Sequence, residues 1–491
     1  MVPITFIVLV TAIAGSDAAL RFAASYGDHM VLQRGPQNAV VWGYADKNNE
    51  KVTIHIVGHG SPVQATTHNG MWKAKLPVMT SPGPFVITAA SSEGSVSLHD
   101  VLFGDVWFCS GQSNMELGLN SINNSAYEIK KATNYDKIRL FHIKNTESPT
   151  PLVDLKTPTK WTAPTAGAAP YFSALCLLYG EYLYNHRKYP IGLIEATWGG
   201  VSIDPFSGPD AMKACPDHAG KRNPHTASVL WNGMINPMLA TTLRGVIWFQ
   251  GESDSWRFEK YSCKHRAMIN DWRAKFNSGS WQSTSPYFPF GFVQLAGNSP
   301  DHSKIGGFPG VRWGQTANMG YVPNTKMPHS FMAVAMDLPD FNSPRGSIHS
   351  RFKQDVAERL GLAALAVAYG EKGLSYQGPY PSSFNTKTKG HLVIEYDHGH
   401  TVLEIRATAG FEICCSARSQ TTCGTNDAWV AAPVLTHHGA TVTLNVSGCQ
   451  NKHWVGLRYS WRESPCEFKK CCVYGRDNDL PAPPFIRNTA F

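Results

Sequence analysis

Three rhythms of apolar and polar residues divide the chain. From Leu20 to Gly104 they alternate in twos, as in Lys51-Val52-Thr53-Ile54-His55-Ile56 and Met71-Trp72-Lys73-Ala74-Lys75-Leu76. Turn clusters such as His68-Asn69-Gly70 and Ser81-Pro82-Gly83 separate these runs at short intervals, which is the pattern of a β-sandwich. From Asp105 to Leu374 short, continuously apolar runs replace the alternation. They predict strands at Val106–Cys109, Ile138–His142, Ile191–Ala196, Gly245–Phe249, Phe290–Gln294 and Phe331–Ala335. Helical candidates lie between them at Ser173–Tyr184, Tyr261–Phe276 and Phe352–Ala368. Doubly buried strands alternating with helices form a parallel sheet covered on both faces. From Ser375 to Phe491 the alternation returns, as in His391–Tyr396 and Ala440–Asn445, and it closes on the proline-fixed Leu480–Phe485.

The first residues belong to none of these regions. Ile4–Ala14 is apolar but short for a bilayer, and Ser16-Asp17-Ala18 has the small-x-small form read by signal peptidase. A signal peptide over residues 1–19 is therefore expected, and no later segment predicts membrane insertion. The 11 cysteines suit the oxidising compartment that such a leader implies. Seven of them crowd the C-terminal region, where disulfides are expected, and Cys109, inside an apolar run, is the expected free thiol that an odd total requires. Asn123-Asn124-Ser125 and Asn445-Val446-Ser447 are acceptor triplets, so glycans are expected on Asn123 and Asn445. The net charge of +8 is dispersed, with no run of Lys and Arg longer than two, which argues against nucleic acid as a partner.

Candidate chemistry concentrates where apolar strands end in polar residues. Val106–Cys109 breaks at Ser110-Gly111-Gln112 and resumes with the spacing of a helix start in Asn114-Met115-Glu116-Leu117. A serine at that junction, Ser113, sits at the carboxyl edge of the sheet, with backbone N–H groups near it to hold an anion. This is the logic of a nucleophile elbow without its GxSxG sequence, because Met115 stands where the second glycine would be. Two other strands end in the same manner, one at Trp198-Gly199-Gly200 and one at Gln250-Gly251-Glu252-Ser253-Asp254. The expected oxyanion donors are the Ser113 N–H, an N–H of Gly199 or Gly200, and the Gln250 amide. The expected base is His349, in the loop that leads into the last helix.

Gly111-Gln112-Ser113-Asn114-Met115 resembles the first block of the SGNH hydrolases, in the variant found in sialate O-acetylesterases. Trp248–Ser253 resembles that family's WxQGES block and Ile348–Gln354 its IHxRxKQ block, and the likeness runs from Gly27–Gln33 through Asn232–Met238 to Leu480–Phe485. The resemblance implies an α/β fold: a flavodoxin-like, three-layer SGNH hydrolase domain at 105–374, flanked by two β-sandwich-like domains at 20–104 and 375–491. It implies a carboxylic ester hydrolase of the lysosomal lumen or the secreted space, acting on O-acetylated sialic acids, by preference at the 9-position. The mechanism would be a Ser113–His349 acyl transfer without metal or other cofactor. Gln112, Asn114, Trp198 and Glu252 would lie beside the substrate, with Glu252 a hydrogen-bond acceptor rather than an acid catalyst.

The chain departs from the family at two places. Gly346 stands where many SGNH enzymes carry the aspartate of DxxH, which leaves Asp337, Asp340 or a main-chain carbonyl near Arg345 or Gly346 to orient the histidine. Ile203-Asp204-Pro205-Phe206 replaces the glutamate, alanine and tryptophan that follow the glycine pair in relatives. Arg257, Arg312 and Arg351 are nominees for the substrate's carboxylate. Two other readings stay open: an acetylesterase of other acetylated glycans, and a catalytically inactive carbohydrate-binding protein that uses the abundant aromatic residues.

Overall fold

The computed structural model describes residues 20–157, 159–216, 226–386, 390–416, 421–424, 427–450 and 452–491; the expected signal peptide lies outside them. The fold is mixed α/β. Its centre is a parallel array of β1 (Gly94–Gly111), β2 (Ile138–His142), β3 (Ile191–Thr197), β4 (Gly245–Phe249), β5 (Phe290–Gln294) and β6 (Ser330–Val334). Side by side they run β2-β3-β1-β4-β5-β6.

The first of these strands is much longer than its apolar run predicts. Its upstream residues alternate between exposed and buried and pair antiparallel with Phe85–Ser91, whereas Asp105–Gly111, buried on both faces, pairs parallel with β3 and β4. One continuous strand thus crosses the boundary expected after residue 104. It joins an antiparallel sheet, completed by Lys51–Ile56 and His59–Thr66, to the parallel one.

Consecutive strand residues point to opposite faces, so Trp107 and Phe108 report what covers each side. Four of the helices bear on the sheet and its serine edge: α1 (Ser113–Glu116), α2 (Ala174–Arg187), α3 (Tyr261–Gly279) and α4 (Lys353–Val367). The Trp107 ring packs edge-on to Tyr179 of α2 at 5.2 Å, while Phe108 meets Trp272 and Phe276 of α3, each at 5.9 Å. Both residues are fully buried, so the sheet is the middle of three layers. Ser173 caps α2 by accepting the Cys176 N–H at 3.1 Å.

Cys109 corrects an expectation. It shares the Trp107 face and forms a disulfide with Cys176 of α2, and the free cysteine is the buried Cys472. A strand's own period shows which face a cysteine takes, and only the packing of α2 supplies its partner. The remaining pairs are Cys215–Cys263, Cys414–Cys423, Cys415–Cys449 and Cys466–Cys471.

One apolar core extends from Leu20 to Ala368, so the N-terminal strands and the parallel sheet share it. The C-terminal strands form two four-stranded antiparallel sheets and a two-stranded one around a second core, to which the central region contributes Val334 and Met336. No helix among the described residues is long and apolar enough to cross a membrane.

Candidate active site

β1 ends at Gly111, whose φ is +141° and where a Cβ would sit 2.1 Å from the Phe249 carbonyl oxygen at the end of β4. Glycine alone lets the two strand ends come this close as the chain turns out of the sheet. Gln112 follows and is buried; its Oε1 accepts the N–H groups of Gly251 and Ser253, each at 3.3 Å. Its side chain stitches the two strand ends together, which corrects its expected place beside the substrate. Ser113 then emerges at the start of α1, partly exposed.

His349 arrives from the other wall on a closed turn. The Gly346 N–H donates to the Ser343 carbonyl at 3.0 Å, the His349 N–H to the Gly346 carbonyl at 2.9 Å, and the Ser343 hydroxyl to the His349 carbonyl at 2.7 Å. Imidazole Nδ1 lies 2.7 Å from the Arg345 carbonyl oxygen. A carbonyl only accepts, so Nδ1 carries the proton and Nε2 is left as an acceptor. Nε2 is 2.9 Å from Ser113 Oγ.

Neither candidate aspartate touches this histidine. Asp337 is buried between the Arg359 guanidinium, at 2.6 and 2.9 Å, and the Tyr474 hydroxyl, at 2.9 Å. Asp340 accepts two bonds from the Arg351 guanidinium, at 2.5 and 2.8 Å. Burial pushes the Asp340 carboxyl up, but the Arg351 hydrogen bonds and charge outweigh it and hold the group below its ordinary value. The Asp337 and Asp340 expectations fall on this geometry. Gly346 contributes its main chain to the turn, and the orienting group is the neutral carbonyl of Arg345.

For an oxyanion, the Ser113 and Gly199 N–H groups have no acceptor among the described residues. A Cβ on Gly199 would stand 3.4 Å from Ser113 Cβ and 2.8 Å from Glu116 Oε2, so the loop after β3 passes directly beside the serine. Gly200, at φ +73°, follows with open space around it, and the half-buried Trp198 before them donates its main-chain N–H to the Gly111 carbonyl. Gln250 is not a donor to this site, against expectation. It is fully buried; its Nε2 donates to Asp254 Oδ2 at 2.7 Å and to the Val201 carbonyl at 3.2 Å, and its Oε1 accepts the Tyr261 hydroxyl at 2.9 Å. Those two acceptors take both amide hydrogens, because the side chain turns beneath the sheet edge toward a buried carboxylate.

Residues 103–349 match a family model described as carbohydrate esterase, sialic acid-specific acetylesterase, and residues 382–489 match the sialate O-acetylesterase C-terminal domain. The curated sialate O-acetylesterases of Pongo abelii and Homo sapiens are 40% and 39% identical to this chain, over 95% of it and 92% of each of theirs. That of Mus musculus is 38% identical over 98% of this chain and 97% of its own. The chain belongs to the sialate O-acetylesterase family. Its members are carboxylic ester hydrolases, and this chain is one. The crystal structure of a carbohydrate acetylesterase from Xanthomonas citri superposes with a TM-score of 0.80 at 28% identity, covering 95% of this chain and 99% of that one.

Two residues expected at the substrate form the site's floor. Asn114 is 2% exposed; its Nδ2 donates to Glu252 Oε1 at 2.6 Å and to the Ile348 carbonyl at 2.9 Å, and its Oδ1 accepts Lys353 Nζ at 2.8 Å. One amide fastens the residue after the serine to the residue before the histidine. Glu252 is an acceptor beneath the site. Burial pushes the Glu252 carboxyl up against the Asn114 hydrogen bond and the Lys353 charge. Burial pulls the Lys353 ammonium down to about 7. The importance of Lys353 had one signal in the sequence, its place in the IHxRxKQ block.

A second buried cluster absorbs the departing segment. Asp254 accepts the Ile203 N–H at 2.9 Å and Arg257 Nε at 3.1 Å, and Asp204 pairs with Arg257 at 2.5 Å and Lys264 at 2.9 Å. Burial pushes the Asp254 carboxyl up, opposed by the Arg257 charge. All of Ile203–Phe206 is buried, so this change repacks the floor and does not line the opening. The opening is a cleft of about 590 Å³ whose walls include Ser113, Glu116, Tyr171, Arg345 and His349. Tyr171 is an exposed residue with no pattern in the sequence to mark it, and the sequence pointed to Arg345 only for its main-chain carbonyl, not for its exposed side chain.

Proposed function

We propose that the chain hydrolyses O-acetyl esters of sialic acids, at the 9-position by preference, through a Ser113–His349 dyad. The 2.9 Å approach of His349 Nε2 to Ser113 Oγ, with Nδ1 held by a main-chain carbonyl, is the observation that carries the reading. His349 removes the serine proton as Oγ attacks the acetyl carbonyl carbon. The Ser113 and Gly199 N–H groups, with Gly200 beside them, receive the negative oxygen. Collapse breaks the ester bond while His349 returns the proton to the sugar oxygen. Water, deprotonated by the same imidazole, then releases acetate from the serine. These steps call on no cofactor.

The SGNH, flavodoxin-like reading of the central domain is supported by its strand order. With the edge strand β2 set aside, the order in chain sequence is 2-1-3-4-5, and the serine lies at the switch point where connections change direction. A three-stranded N-terminal sheet (Arg21–Phe22, Val40–Tyr44 and Met71–Lys75) together with the antiparallel one, and the two four-stranded C-terminal sheets, support sandwich-like flanking regions. The first of them is continuous with the central sheet through β1, and the second begins near 374. The disulfides, the leader over 1–19 and the partly exposed Asn123 and Asn445 support a glycosylated protein of the lysosomal lumen or the secreted space.

Acetate release from 9-O-acetyl sialic acid tests the reading, with wild type beside Ser113→Ala and His349→Ala. Turnover by wild type that is lost in both folded variants is expected. Cleavage of an aryl acetate without turnover of the sialate would move the substrate to other acetylated glycans. Sugar binding without any ester cleavage would favour an inactive binding protein.

A further inference from the structure

A sialic acid presents a carboxylate as well as an acetyl ester, and the dyad has nothing to hold it. The three arginines nominated for that task are otherwise engaged. Arg257 pairs with Asp204 and Asp254. Arg312 is fully buried and donates to the main-chain carbonyls of Leu295, Ala296, Arg462 and Glu463. Arg351 forms its two-point pair with Asp340. The Asp340 carboxylate already offsets the Arg351 charge, so a second carboxylate would gain less there.

Arg345 stands on different terms. Its side chain is exposed and lines the cleft together with Ser113 and His349, where it is the one cation among the described lining residues. Its guanidinium donates to the exposed Ser121 hydroxyl at 3.2 Å and forms no ion pair among the described residues. Its carbonyl is the group that holds His349 Nδ1 at 2.7 Å. The turn that sets the base therefore also roots a positively charged side chain at the cleft. The cleft is also lined by Glu116, whose carboxylate lies beside Gly199. The cleft is thus polarised, with its cation on the Ser121 side and its anion on the oxyanion side. An acidic sugar enters such a cleft in one sense, with its carboxylate away from Glu116 and its neutral acetylated tail toward Ser113.

We infer that Arg345 is a specificity-determining residue that binds the substrate's carboxylate through its guanidinium. The inference rests on the sialate reading of the site. Its test is kcat/KM for O-acetyl sialic acid and for the methyl ester of that acid's carboxyl group, measured on wild type, Arg345→Gln and Arg345→Lys. Wild type is expected to prefer the free acid by about 10- to 100-fold, the range of a charge-assisted hydrogen-bonded pair. In Arg345→Gln the preference falls to near unity, chiefly through KM for the acid, and Arg345→Lys keeps part of it. The ratio is taken within each variant, so damage to the His349 turn cancels. Wild type that turns over both compounds without preference, or Arg345→Gln that keeps the preference, overturns the inference and leaves the sialate reading standing. Wild type that cleaves an aryl acetate but neither sialate overturns both.

Discussion

The upper and lower halves of the site are built on opposite terms. Above, Ser113 and His349 meet partly in solvent through a single hydrogen bond. Below, Asn114, Glu252 and Lys353 form one buried polar chain, and Gln250, Asp254, Asp204, Arg257 and Lys264 form another. Polar groups in a low-dielectric interior are strongly coupled, and removing one strands its partners. The contrast separates two duties: the upper pair carries reactivity with little bearing on stability, and the floor carries both stability and the mutual placement of serine and histidine.

Ser113→Ala breaks the contrast most sharply. Activity is expected to fall on the order of 10⁴- to 10⁶-fold. Stability in a urea titration is expected to change by less than about 0.5 kcal/mol. A large loss of stability would mean that the upper pair is also structural.

Asn114→Ala comes next, because it takes the side-chain donor from Glu252 Oε1 and the Ile348 carbonyl and leaves the buried Lys353 ammonium hydrogen-bonded, among the described residues, to the Ser350 carbonyl alone. It is expected to destabilise the protein by about 3 kcal/mol or more. It should lower kcat as well, through the loosened His349 turn, in the same acetate assay. A variant as stable as wild type would remove the distinction between the halves.

A pH series isolates Lys353. The folded protein releases its proton near pH 7, whereas the unfolded chain holds it to about 10.5, so between those values the unfolded state binds more protons. Measured against Lys353→Met, wild-type stability should therefore rise with pH through that window, by about 1.4 kcal/mol per unit. Below the window both states hold the proton and the relative slope should vanish. An unchanged difference across the series would place Lys353 in contact with water.

The smallest expected effect is that of Asp340→Asn. Replacing a triad aspartate costs about 10⁴-fold in kcat, but here the Arg345 carbonyl holds the imidazole, so a change within about threefold is expected. A triad-sized loss would restore Asp340 as the orienting group.

Much of this architecture is legible in local text. The six strands of the central array stand at or around their apolar runs, since a doubly buried strand must be apolar throughout. β1 alone outgrows its prediction, because its upstream half is only half-buried and reads as a separate alternating strand. Ser113, Gly199 and His349 converge because each follows or precedes an element whose end lies at the same sheet edge. Gln250 was misjudged for an equally physical reason: residue type and strand end do not reveal whether an amide faces solvent or a carboxylate below it.

The sequence by itself determined the layers of this protein and the edge where its serine emerges, because burial and turn formation depend on neighbours a few residues away. Tertiary structure decided the partners. It gave Cys109 to Cys176, His349 Nδ1 to the Arg345 carbonyl, Asn114 to Glu252 and Lys353, and left Arg345 facing the cleft. Most of these pairings join segments far apart in the chain, and hydrogen-bond and ion-pair geometry is settled only when packing brings those segments within a few ångströms of one another.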